Sequence, residues 1–293
     1  MTNPTVAVYI DQLATWSPPD QVLTSILDNA GGFNQFILAF WELTGPLDVA
    51  QAWSDGSTFP PDAIDQFHQN GIQVTVSAGG ATVQPITQYP DQAAEFGAAA
   101  AKFAVQYGLD GVDFDLEDPM YGSDPETAIR WTVDATKAAR DAFPDAILTH
   151  APQAPYFSQA YGGAPYLAVN EVVGDLIDAY NVQFYNQDET SYDSYDTLFV
   201  EANGWATGSA VAQIIAAGVA AQKILLGKPV IFKDKSNTGY VPVSDLANWI
   251  GEAAQNGIEI GGAMGWQFHS DSDSAHWGTT LADALSGENG GTS

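Results

Sequence analysis

Eight short, strongly apolar runs recur along the chain, each followed by a longer stretch of mixed polarity. They are Val6–Ile10, Gln35–Trp41, Ile72–Ala78, Gly111–Glu117, Ala146–Ala151, Ala179–Tyr185, Lys223–Phe232 and Gly262–Phe268. Most are near-continuous Val, Ile, Leu and Phe, the pattern of strands buried on both faces of a parallel sheet. The stretches between them carry helical periodicity: Phe96, Ala100, Phe103 and Tyr107 share one helix face. Asp124 followed by Pro125 predicts an N-cap and first turn for a helix running through Trp131 towards Arg140. Ser244 is expected to cap a helix bearing Leu246, Trp249, Ile250 and Ala253, which Gly257 then ends.

Eight strand–helix units predict an α/β fold, a single (β/α)8 TIM barrel over residues 1–285, with 286–293 as a Gly/Ser-rich tail or linker stub. The alternative, an open doubly wound sheet, would want a glycine-rich phosphate loop after the first strand. The stretch from Ile10 to Asp20 contains no glycine. In a barrel the chemistry sits at the C-terminal ends of the strands, so the residues closing each run are the ones to inspect.

Composition narrows the function. With 8 Lys+Arg against 36 Asp+Glu, the formal charge is −28, which repels phosphate backbones and anionic lipid and argues against nucleic-acid and membrane-surface roles. The absence of cysteine removes disulfides, thiolate metal sites and a cysteine nucleophile. No apolar run approaches the roughly 18 residues of a membrane span. The start, Met-Thr-Asn-Pro-Thr-Val, has neither a basic nor an apolar signal region.

The fourth run, Asp110-Gly-Val-Asp113-Phe-Asp115-Leu-Glu117, carries the candidate chemistry. Side chains alternate along a strand, so Asp113, Asp115 and Glu117 face one way and Val112, Phe114 and Leu116 the other. The apolar set suits packing under helices, which turns the acids towards the barrel axis. Carboxylates about 6 to 7 Å apart on one buried line cannot all ionise cheaply, so at least one pKa is raised and a general acid is created at the solvent end. The competing readings are a Mg²⁺ or Ca²⁺ site and a solvated acidic edge strand; the flanking Val, Phe and Leu speak against the edge strand.

This string resembles the Asp-x-x-Asp-x-Asp-x-Glu signature of glycoside hydrolase family 18, the chitinases, and the surrounding motifs resemble its hevamine-like, class III plant-type branch. Tyr9 lies on the first strand and Phe36 to Phe40 on the second. Ser77-Ala-Gly79-Gly80 on the third matches Ser-x-Gly-Gly. Ala151-Pro-Gln-Ala-Pro155 follows the fifth, Gln183-Phe-Tyr185-Asn186 closes the sixth, and Trp266 lies on the eighth. The lack of cysteine points to a microbial relative.

The resemblance implies retaining, endo-type hydrolysis of β-1,4-linked N-acetylglucosamine polymers in which the sugar's own 2-acetamido oxygen is the nucleophile. Glu117 would be the general acid and base. Asp115 would orient the acetamido group, Asp113 would share a proton with Asp115, and Tyr185 would donate to the acetamide oxygen. Trp266 would floor the subsite, the bland alternative being an ordinary core tryptophan. Tyr9, Gln183, Gly80 and Asn186 would line the same subsite, and Ser77 would support Asp113. No cofactor and no metal are implied.

Two departures from the pattern, Glu42 and His150, are read as a solvated loop carboxylate and a structural histidine. The rings of Tyr156, Phe157, Tyr161, Tyr166, Tyr192, Tyr195, Phe199 and Trp205 include candidate sugar platforms. His269-Ser-Asp271-Ser-Asp273 reads as a solvated acidic turn rather than a cation loop. The expected partner is chitin or its oligosaccharides, bound by a monomer acting outside the cell, with a cytoplasmic site as the alternative. The competing functions are cleavage of N-glycan chitobiose cores by the same acids, and a silent chitin-binding lectin or inhibitor on the same barrel.

Overall fold

The computed structural model of the protein describes residues 4–13, 19–188 and 192–287. Residues 1–3, 14–18, 189–191 and 288–293, the last group holding most of the expected 286–293 tail, lie outside this set. Among the described residues the strands are β1 (Thr5–Ile10), β2 (Gln35–Glu42), β3 (Gly45–Pro46), β4 (Gln73–Gly79), β5 (Gly111–Asp115), β6 (Ile147–His150), β7 (Ala179–Gln183), β8 (Ile224–Pro229) and β9 (Gly262–Trp266). β3 is a two-residue antiparallel return against the end of β2. The other eight are parallel and neighbour one another in chain order, and β1 pairs with both β2 and β9, closing the barrel.

Alternation along the strands sorts the core into two shells. On β1, Val6, Val8 and Ile10 pack in the layer between barrel and helices, while Ala7 and Tyr9 join a smaller axial cluster with Ile37, Leu225 and Met264. The same parity on β5 sends Val112 and Phe114 outward, leaving Asp113 and Asp115 for the axis. Each large outward side chain contributes about 1.5–3 kcal/mol by leaving water, which stabilises a strand whose inner face is acidic.

Helices follow the strands as expected, with three adjustments. The helix Pro125–Ala142 begins where predicted, and the Asp124 side chain accepts from the Thr127 N–H. The helix Val243–Gln255 starts one residue before Ser244, so Ser244 lies in its first turn and is not its cap. Pro242 occupies the cap position, where its fixed φ and missing N–H cost the helix nothing. Gly257, at φ 81°, ends that helix. After β6 and β7 the chain makes a 3₁₀ turn (Ala154–Phe157) and a single π turn (Asp196–Val200) before the helices Pro165–Val173 and Val211–Ala216. The last helix runs Ser272–Ser286, one residue into the expected tail, and Gly287 ends it in a left-handed conformation.

Five of the predicted strands run past the C-terminal ends of their ladders, β5 and β8 among them. β5 stops at Asp115, leaving Glu117 on the rim, and β8 stops at Pro229, which has no N–H to continue the pairing. Register then places the site. Ser77 lies opposite Asp113, and Asp113 opposite Thr149. Laterally paired residues share the pleat, so these three side chains meet on the axis.

Candidate active site

Asp113 is completely buried, and four donors converge on its carboxylate. Tyr9 Oη (2.6 Å) and Ser77 Oγ (2.9 Å) donate to Oδ2; Thr149 Oγ1 (2.7 Å) and Asn181 Nδ2 (2.9 Å) donate to Oδ1. Burial pushes its pKa up and all four bonds pull it down. A carboxylate ringed by N–H and O–H groups has its lone pairs engaged, which takes Asp113 out of any set of cation ligands.

Asp115, one pleat nearer the rim, has a different setting. Its Oδ1 accepts from Gln183 Nε2 at 2.9 Å. Burial, Glu117 and Asp113 all drive its pKa well up, with Gln183 alone opposing. Four donors favour ionisation at Asp113 and one at Asp115, so of the two carboxyls Asp115 is the one whose ionisation is less supported.

Glu117 is part-exposed at the rim and accepts from Gln153 Nε2 at 2.7 Å. Burial raises its pKa, and Gln153 and Gln183 moderate the rise. The following residue locks the turn: buried Asp118 accepts from Thr87 N (2.9 Å), Thr87 Oγ1 (2.8 Å) and Met120 N (3.0 Å). A raised carboxyl at the mouth of a buried acidic line is what a general acid requires.

Tyr185 lies on the axial cluster beside these acids. Burial and the fields of Asp115, Glu117 and Asp113 push its phenol far up, so it remains a hydrogen-bond donor throughout the working pH range. Trp266 closes β9 part-exposed, stacked on Phe40 at 6.2 Å and edge-on to Tyr9 at 5.7 Å. Together these rings make an apolar wall next to the acids.

Several expected subsite residues turn out to be braces. Tyr9 spends its hydroxyl on Asp113, and Gln183 divides its amide between Asp115 and the Ala151 carbonyl (3.0 Å). Gly80 donates its N–H to the Asp115 carbonyl at 2.8 Å. Gly79 and Gly80 have φ of 116° and 102°; a side chain at 79 would run into that carbonyl, and one at 80 would press on the Phe40 ring. Asn186 commits its side-chain oxygen to Ser236 N (2.7 Å) and Asn237 N (3.2 Å), so it clamps the loop leaving β8. Ser77 supports Asp113, as expected.

His150 is structural. It is buried against Phe114, Tyr166 and Tyr180, and burial takes its pKa down to about 3. Glu42 closes β2 opposite Gly45, part-exposed. Asp271 caps the last helix and His269 pairs with Asp234 at 2.9 Å. Of the candidate platform rings, Tyr156, Phe157, Tyr166, Tyr192 and Phe199 are core residues, whereas Trp205 is 41% exposed. Thr149, Asn181 and Gln153 are site residues that the motifs did not single out as such; the alternation of Asn181, Gln183 and Tyr185 along one strand face was the available signal.

A family model described as Glycosyl hydrolases family 18 matches residues 5–257. No match is found among curated proteins. Among solved structures, the fold is similar to that of a GH18 chitinase from Pseudoalteromonas aurantia, with TM-score 0.77 and 26% identity over 96% of this chain and 100% of that one. A GH18 chitinase from Chromobacterium violaceum gives TM-score 0.69 at 18% identity, covering 97% of this chain and 84% of that one. A GH18 chitinase from Cycas revoluta, solved in complex with (GlcNAc)3, gives 0.67 at 16%, covering 96% and 99%. At such identities the last two likenesses concern the fold.

Proposed function

The chain belongs to glycosyl hydrolases family 18, and from that premise we propose that it is a retaining, endo-acting chitinase working by substrate-assisted catalysis. The observation that carries the reading is the gradient along β5. It runs from a fully donor-satisfied Asp113, through an Asp115 with one donor and a pKa driven well up, to a part-exposed Glu117 of raised pKa.

In this reading Glu117 protonates the glycosidic oxygen as that bond breaks. The 2-acetamido oxygen of the same sugar attacks the anomeric carbon, forming an oxazolinium ion. Asp115 receives the acetamido N–H on its carbonyl oxygen and steadies the charge developing on that nitrogen. Tyr185 donates to the acetamide oxygen and holds it in line for attack. Glu117, now ionised, deprotonates the water that opens the oxazolinium ion. Trp266, with Phe40 and Tyr9 behind it, supplies the apolar floor. No carboxylate need sit on the far face of the sugar, in keeping with the axial acids lying on one strand.

The substrate assignment, β-1,4-linked N-acetylglucosamine polymers, is supported by the named activity of the similar structures and by the (GlcNAc)3 bound in the Cycas enzyme. A polymer substrate favours action outside the cell. The test is hydrolysis and calorimetric binding of N-acetylglucosamine hexamer by wild type and Glu117→Gln. Cleavage to dimers, trimers and tetramers by wild type alone, with binding by both, supports the reading. Binding without cleavage by either favours a lectin, and neither binding nor cleavage favours an N-glycan substrate.

A further inference from the structure

Lys228 is one of eight basic residues in this acidic chain, and its side chain is completely buried on β8. Its ammonium meets three backbone carbonyls: Tyr192 at 2.6 Å, Phe184 at 2.9 Å and Gly239 at 3.0 Å. Three N–H donors thus face three acceptors, the arrangement that makes a buried ammonium tolerable. Burial pushes the amine down to about 7 and Asp193 acts the other way; the three short bonds further favour the charged form.

The three carbonyls belong to segments that converge on Tyr185. Phe184 immediately precedes it. Tyr192 lies in the loop leaving β7, and Gly239 in the loop leaving β8. Gly239, at φ 93°, lies so close that a Cβ there would come within 2.5 Å of the Tyr185 Cα and 2.8 Å of its Cβ. The same β8 loop is bonded to the residues after Tyr185: Asn186 N donates to the Thr238 carbonyl at 2.9 Å, and Gln187 N to Thr238 Oγ1 at 3.3 Å. Gln187 Nε2 then reaches back to the Tyr185 carbonyl at 3.0 Å.

We propose that Lys228 is a positioning residue for the reaction: its ammonium ties Phe184 to the β7 and β8 loops and so fixes the direction of the Tyr185 hydroxyl. An apolar side chain of equal length would fill the space but leave three buried carbonyls without a donor, and the loops would shift to find water. The inference rests on the reading of Tyr185 as the donor to the acetamide oxygen.

A double-mutant cycle on N-acetylglucosamine hexamer separates this from a purely structural role. Alone, Lys228→Met is expected to lower kcat about tenfold with KM changed less than about twofold. In the Tyr185→Phe background the same substitution should cost less than about twofold in kcat, because the hydroxyl it positions is gone. Losses that multiply in full across the two substitutions, or an unchanged kcat in Lys228→Met, overturn the proposal while leaving Tyr185 in place. A wild-type kcat in Tyr185→Phe overturns the Tyr185 reading and the Lys228 proposal with it. Should Lys228→Met not fold, Lys228→Gln, which keeps two N–H donors, is carried through the same cycle with the same criteria.

Discussion

The side-chain amide of Gln153 lies 2.7 Å from Oε2 of Glu117, so the acid that burial raises is held by a group that pulls it down. This bond favours the ionised form of Glu117. Gln153→Leu removes it and is expected to move the alkaline limb of the kcat/KM profile to higher pH, while kcat falls about tenfold through lost orientation. A pH–rate series on both proteins measures this; a limb that stays put or moves to lower pH contradicts it.

Tyr9 tests the anchoring of Asp113. Tyr9→Phe keeps the ring against Trp266 but deletes one of four donors to a buried carboxylate, a loss of roughly 1.5–3 kcal/mol for a charge-assisted bond. Thermal unfolding should fall by several degrees and kcat by about tenfold, since a less well-held Asp113 competes with Asp115 for the proton. Unchanged unfolding temperature and rate together would remove Tyr9 from the account.

Much of this was legible before any coordinates, and the reasons differ by residue. The parity of Asp113, Phe114, Asp115 and Leu116 dictates which side chains face the axis, because the pleat has period two whatever surrounds it. Strand ends are less legible: the apolar run continues through Val230 and Ile231 past the end of β8 at Pro229, with one last backbone bond from Val230 N to the Trp266 carbonyl, and the apolar pattern does not mark where the ladder ends. The partners of each acid were legible only in part. Ser77 was assigned to Asp113 from its motif, whereas Thr149 and Asn181 reach that carboxylate through a barrel register that no local pattern records. The bonds from Ser236 N and Asn237 N to the Asn186 side-chain oxygen are likewise invisible to local pattern, because that loop lies some 50 residues away.

Asp11 provides a test read in stability and not in turnover. Burial, with the fields of Asp48 and Asp234, raises its pKa from 3.8 to about 6, while His269 opposes. A carboxyl raised in the folded state costs stability once ionised: the cost is absent below about pH 4 and complete above about pH 6. Because the group is part-exposed, water screens most of this, leaving on the order of 1 kcal/mol. Asp11→Asn should therefore raise the unfolding temperature by about 2 °C at pH 7 and not at pH 3.5. Equal effects at both pH values would contradict this.

The pH optimum follows from the signs at the site. The pKa values of Glu117 and Asp115 are both raised, so the protonated forms the mechanism needs persist above the ordinary carboxyl range and are lost as pH rises through the raised values. The surrounding charge of −28 acts in the same direction. Activity should peak on the acidic side of neutral and decline towards alkali. A kcat/KM profile peaking above about pH 8 would contradict the assignment of Glu117 as the acid.

The central claim is that the substrate's acetamido oxygen attacks while Glu117 serves first as acid and then as base. Its most direct test is the anomeric configuration of the first products from N-acetylglucosamine hexamer, resolved before mutarotation. The account predicts β-anomers at the new reducing ends, with none formed by Glu117→Gln. Initial products in the α configuration would contradict it.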